Sequence, residues 1–139
     1  MSAHPFLLRA SFGYSGENNN IDRISAQVWS DNDWNSLEIN NASPGFLIFV
    51  YSFLICQHTY FHANCNERDL LLDHSEVELD LHADNDWKIQ QLNVGIDATL
   101  RDGNPEQATI DYIEGRMRKC PVSVNMQEPP DYQIELQFN

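Results

Sequence analysis

The chain has 139 residues, with 8 Lys plus Arg against 21 Asp plus Glu and a formal net charge of -13. At 42% apolar and 11% aromatic residues it can bury a real core, which excludes the disordered class and points to one globular domain spanning 1–139. Eight scattered cations offer no basic stripe to a phosphate backbone, and the surplus of carboxylates disfavours anionic membrane surfaces, so neither nucleic acid nor membrane is expected as a partner.

Met1-Ser-Ala-His-Pro5 has no basic region followed by an apolar run, so no signal peptide is read and the expected compartment is the cytoplasm. Three cysteines, an odd number, argue for reduced thiols rather than a closed disulfide framework. Asn41-Ala42-Ser43 matches a glycosylation sequon, but nothing else suggests secretion.

In chain order, Phe6 to Phe12, Ile24 to Val28 and Leu37 to Ile39 are three short strand candidates separated by Gly- and Asn-rich turns. Asp-Asn-Asp-Trp occurs at 31–34 and again at 84–87. Both copies read as hairpin tips, because neither has the glycine and distal glutamate of a calcium loop. No charged residue occurs between Glu38 and Glu67. The dense block Phe46 to Ile55 is followed by Gln57, His58, Thr59, His62 and Asn64, too polar a continuation for a membrane span. It reads as a buried central helix from Pro44 to about Ala63, with Ser43 as N-cap and Pro44 in the first turn.

Val77, Leu79 and Leu81 alternate with polar residues, as do Leu92, Val94, Ile96, Ala98 and Leu100. With the turn at Asp84–Trp87 they predict a hairpin that has one face on the helices. Asn104 as cap, Pro105 in the first turn and Gln107 after it open a second helix, and Arg116, Arg118 and Lys119 suit its negative end; Cys120-Pro121 closes it. Tyr132, Ile134, Leu136 and Phe138 form a last strand. The result is an α+β domain with helices on one face of an antiparallel sheet.

There is no Gly-rich phosphate loop, no GxSxG and no HExxH, so no nucleotide or other cofactor is implied. His58, His62 and Cys65 share a helical face, but no fourth ligand is indicated and no metal is assigned. Cys56, about 200° from His58 around the helix, points elsewhere.

The segment 115–123, Gly-Arg-Met-Arg-Lys-Cys-Pro-Val-Ser, resembles the second-cysteine motif of the OsmC/Ohr family, in which a helix ends in Cys-Pro-Val or a similar sequence. The uncharged helix opening with Pro44 and carrying Cys56, the run Leu70-Leu-Leu72 before an alternating strand, and the second helix follow in the same order, so the resemblance covers roughly residues 40–138. It implies an OsmC-like intertwined homodimer that reduces organic hydroperoxides. Cys56 would attack the peroxide and become a sulfenic acid, Cys120 would close a disulfide with it, and an external dithiol would reduce that disulfide. Cys65 lies outside the pattern. Many members carry a carboxylate just after the helix-opening proline and an arginine from the amino-terminal strands. Here Gly45-Phe46 follows Pro44, and Arg9 and Arg23 are the only amino-terminal arginines. The missing carboxylate supports an alternative: a catalytically weakened OsmC-like protein that binds a small molecule or hydroperoxide.

Overall fold

The computed structural model describes residues 3–139. Strands β1 (His4–Ser15), β2 (Asn20–Ser30) and β3 (Asp33–Ser36) precede helix α1 (Gly45–Glu67); β4 (Leu71–Ala83), β5 (Ile89–Asp102), α2 (Gln107–Met117), the short α3 (Pro121–Val124) and β6 (Asp131–Phe138) follow. One six-stranded sheet runs in the order β3-β2-β1-β4-β5-β6.

The register explains where the core lies. Leu8 pairs with Leu79, Leu79 with Val94 and Val94 with Ile134, so one apolar row crosses four strands. Ala10, Val77, Ile96 and Leu136 form the next row. Directly opposed residues share a face and neighbours along a strand alternate, so the other face carries Glu76, Glu78, Asp80, Asp97 and Glu135. Helix α1 covers the apolar face with a stripe of Val50, Phe53, Leu54, Gln57, His58, Phe61, Asn64 and Cys65, all buried. It is long and apolar enough to cross a membrane, and this stripe makes it the core helix of an α+β fold.

The structure corrects several expectations. The sheet is mixed: β6 runs parallel to β5, because α2 and α3 form a crossover that carries the chain back to the end of the sheet where β5 begins. The third strand is Asp33–Ser36, and Leu37 to Ile39 lies beyond it. Asp31 and Asn32 both take positive φ, 55° and 62°, the geometry of a two-residue hairpin turn, and pairing therefore restarts at once with Ser30 opposite Asp33. At the start of α1 the N-cap is Pro44; Ser43 lies outside the helix, and its hydroxyl accepts the Asn40 N–H at 2.9 Å. The helix continues past Ala63 to Glu67, because Asn64 and Cys65 fall on the buried stripe. Helix α2 starts two residues later than the Asn104-Pro105 signal suggests, with Glu106 as N-cap; the Gln107 amide reaches forward to Asp111. The two expected hairpin tips are found where the repeated tetrapeptide placed them.

Candidate active site

Cys56 lies on α1, half-buried, on the flank beside the sheet-facing stripe. Cys120 is fully buried in the elbow after α2. It was expected at the negative end of the second helix; instead α2 ends at Met117 and Cys120 is the N-cap of α3, with Pro121 in the first turn. The physical reason is that proline ends one helix and opens another equally well. Arg118 lies over the Tyr132 ring at 4.6 Å and pairs with Glu114 at 3.7 Å.

This elbow brings the two thiols together. The Cys56 thiol lies near enough to Cys120 and to the Val122 backbone to feel both. Burial pushes Cys56 up to about 11, the neighbouring Cys120 side chain adds to the rise, and the Val122 backbone opposes it. Cys120 Sγ accepts from Gln57 Nε2 at 3.1 Å and from the Ser123 N–H at 3.4 Å. Tyr132 closes the site, its hydroxyl 3.1 Å from Ser123 Oγ and its ring edge-on to Phe53. Neither Gln57 nor Tyr132 stands out in the sequence; a lone glutamine beside a helical cysteine and one aromatic residue in a strand carry no pattern.

The amino-terminal arginines are engaged elsewhere. Arg9 donates to Gln27 at 2.6 Å and lies over Trp34, while Arg23 pairs with Asp22. Cys65 is sealed in the core, and burial pushes its thiol up strongly. His58 is buried against Phe12, with Nε2 2.6 Å from the Tyr14 hydroxyl, which also meets Ser75 Oγ at 2.7 Å. Burial, with His62 nearby, lowers His58 to about 3. His62 Nε2 donates to the Asn19 carbonyl at 2.6 Å. Both rings of the His58, His62, Cys65 face are therefore hydrogen-bonded within the protein.

An apolar cleft of about 500 Å³ opens along the first half of α1, lined by Phe46, Phe49, Ile89, Met126 and Pro130 and by Trp87 from the β4–β5 tip, with Lys88 and Glu128 on its walls. Phe49 is two turns before Cys56 on the same side of α1, about 10 Å along the axis. Met126 is four residues beyond Val122, so the cleft borders the elbow that holds the thiols.

The sequence matches no family model and no curated protein. Solved structures do match. An OsmC-like protein from Mycoplasma pneumoniae aligns with a TM-score of 0.53 and 11% identity over 93% of this chain and 94% of that one. An OsmC-like hydroperoxide resistance protein from Jannaschia sp. CCS1 gives 0.51 and 13% over 87% and 85%. An OsmC-like protein of unknown function from Vibrio cholerae gives 0.50 and 8% over 94% and 98%. Each likeness spans nearly the whole of both chains, with the mixed six-stranded sheet and its covering helices in common: this chain has the OsmC-like fold.

Proposed function

We propose that the protein reduces organic hydroperoxides through a dithiol cycle on Cys56 and Cys120. The observation that carries this reading is the seating of Cys120 against the turn of α1 that bears Cys56: Gln57, the next residue, donates to Cys120 Sγ at 3.1 Å, and the nearby Cys120 raises the Cys56 thiol. Their exposure fits the division of labour, since Cys56 is half-buried and Cys120 fully buried, so a peroxide meets Cys56 first. The Cys56 thiolate attacks the terminal oxygen of R–O–O–H; an S–O bond forms, the O–O bond breaks, and the alkoxide takes a proton to leave as ROH. Cys120 sulfur then attacks the sulfenic sulfur of Cys56, giving the disulfide, and the departing hydroxide leaves as water with the Cys120 proton. An external dithiol returns both thiols and becomes a disulfide itself. The apolar cleft beside the elbow suits the tail of an organic hydroperoxide, each buried CH₂ contributing roughly 0.8 kcal/mol. The hydroperoxide resistance function named for the Jannaschia protein points the same way.

In this reading the chain works as one domain, in the cytoplasm, as a homodimer. Turnover of cumene hydroperoxide with a dithiol, measured on wild type, Cys56→Ser and Cys120→Ser, is the test. Both variants should lose sustained turnover; wild-type rates from Cys56→Ser would end the proposal.

A second reading has its own support. Cys56 is raised to about 11, Gly45-Phe46 replaces the carboxylate, and Arg9 and Arg23 are bound elsewhere. Together these favour a weakened relative that binds a hydroperoxide or another small apolar molecule in the cleft. Binding of cumene alcohol without any turnover of the hydroperoxide would favour it.

A further inference from the structure

We propose that Gln57 is a positioning residue, holding Cys120 Sγ in place for its attack on Cys56. The inference rests on the dithiol reading above and assigns a role within it. Gln57 is adjacent to Cys56 on α1, yet its side chain turns into the core and is fully buried. Its two amide N–H groups are both used: one donates to the Met117 carbonyl at 2.9 Å, where α2 ends, and the other to Cys120 Sγ at 3.1 Å. The Ser123 N–H reaches the same sulfur at 3.4 Å. Cys120 Sγ is thereby pinned from α1 and from α3 at once, beside the helical turn that carries Cys56.

A packing role alone does not account for this amide. Its Oε1 is buried with no partner among the described residues, and an unpaired acceptor in the core is a cost that methionine or leucine would avoid while filling the same space. What the amide supplies that those side chains lack is the pair of donors, and they end on the elbow and on its sulfur. Fixing that sulfur matters in the condensation step, where the reacting atoms must be held at near-contact distance and in line.

The step can be read without any peroxide by using Ellman's reagent, an aromatic disulfide, on the reduced full-length protein. Cys56 thiolate attacks one sulfur of the reagent, giving a mixed disulfide and one aryl thiolate. Cys120 thiolate then attacks the Cys56 sulfur of that mixed disulfide, forming the Cys56–Cys120 disulfide and releasing the second aryl thiolate. Two phases of colour result. In Gln57→Met the second phase should slow by about fivefold or more, the loss expected for one hydrogen bond that orients the attacking group. The first phase should stay within about twofold of wild type. Gln57→Leu should behave the same way, and a thermal melt of each variant checks that it is folded. A second phase at the wild-type rate in the folded variants, or equal slowing of both phases, would overturn the assignment. Because no peroxide is used, absence of peroxidase turnover would leave this result standing by itself.

Discussion

Cys56 titrates from the wrong side for an easy nucleophile. With its thiol raised to about 11, the thiolate is a small fraction at neutral pH and grows about tenfold per pH unit until the pKa is approached, whereas an ordinary cysteine is half ionised near pH 8.5 and levels off about a unit above that. Alkylation of Cys56 by iodoacetamide, followed by peptide mapping, should therefore still rise almost tenfold from pH 9 to pH 10; a rate that barely changes over that unit would contradict the raised thiol and its partly buried environment beside Cys120. His58 works in the opposite sense. Its folded pKa of about 3 lies below the unfolded value of about 6.5, so the unfolded chain takes up a proton as pH falls through that window and the folded one does not. The stability His58 contributes as a neutral ring is complete above pH 6.5 and is lost progressively below it, on the order of 2 kcal/mol by pH 5. Urea denaturation of His58→Gln at pH 7 and pH 5 should show a smaller drop than wild type; equal drops would place the acid sensitivity elsewhere.

At the scale of elements, the tip of the β1–β2 hairpin is tied to the junction of α1 and β4 through Asn19. This fully buried residue takes φ 50°. Its Nδ2 donates to the Leu70 carbonyl at 2.8 Å and to Asn66 Oδ1 at 2.6 Å, its Oδ1 accepts the Leu72 N–H at 2.7 Å, and its carbonyl accepts from His62. One side chain thus locks a turn onto the junction of α1 and β4. Asn19→Ala should cost about 3 kcal/mol or more, from stranded buried groups and a left-handed backbone that alanine resists; Asn19→Gly should be less harmful by about 1 kcal/mol. Chemical denaturation decides it, and equal losses in the two variants would show that the backbone conformation is unimportant. Elements were legible in the sequence where patterning was strong. The alternation in 77–81 and 92–100 has one dominant reading and became β4 and β5. The ends of α1 and α2 were not legible, because Ser43 and Asn104 are good caps whose use depends on how the preceding loop turns. The parallel direction of β6 is a property of the crossover rather than of its own residues. Of the site, the cysteines carried a motif, whereas Gln57 meets Cys120 only through tertiary packing.

For the whole molecule, the sheet buries one stripe of α1 and leaves an apolar flank, Ile48, Tyr51 and Ile55, half-exposed or exposed. Strand β2 is exposed along most of its length, with Ile24 at 59%, Ile21 at 40% and Trp29 at 43%. Apolar surface on both a core helix and a strand of a chain this acidic calls for a cover, and a second copy supplies it in the proposed homodimer. Light scattering at micromolar concentration should give twice the chain mass of 16.0 kDa; a monomer would remove the dimer from the account.

The thiol pair is the centre of the account, and counting thiols tests it most directly. Reduced protein is given one equivalent of cumene hydroperoxide, its remaining thiols are titrated, and a non-reduced digest is mapped. The account predicts the loss of two thiols per peroxide, an intrachain link between Cys56 and Cys120, and Cys65 still free. Unchanged thiols, or oxidation at Cys65 with Cys56 untouched, would contradict it.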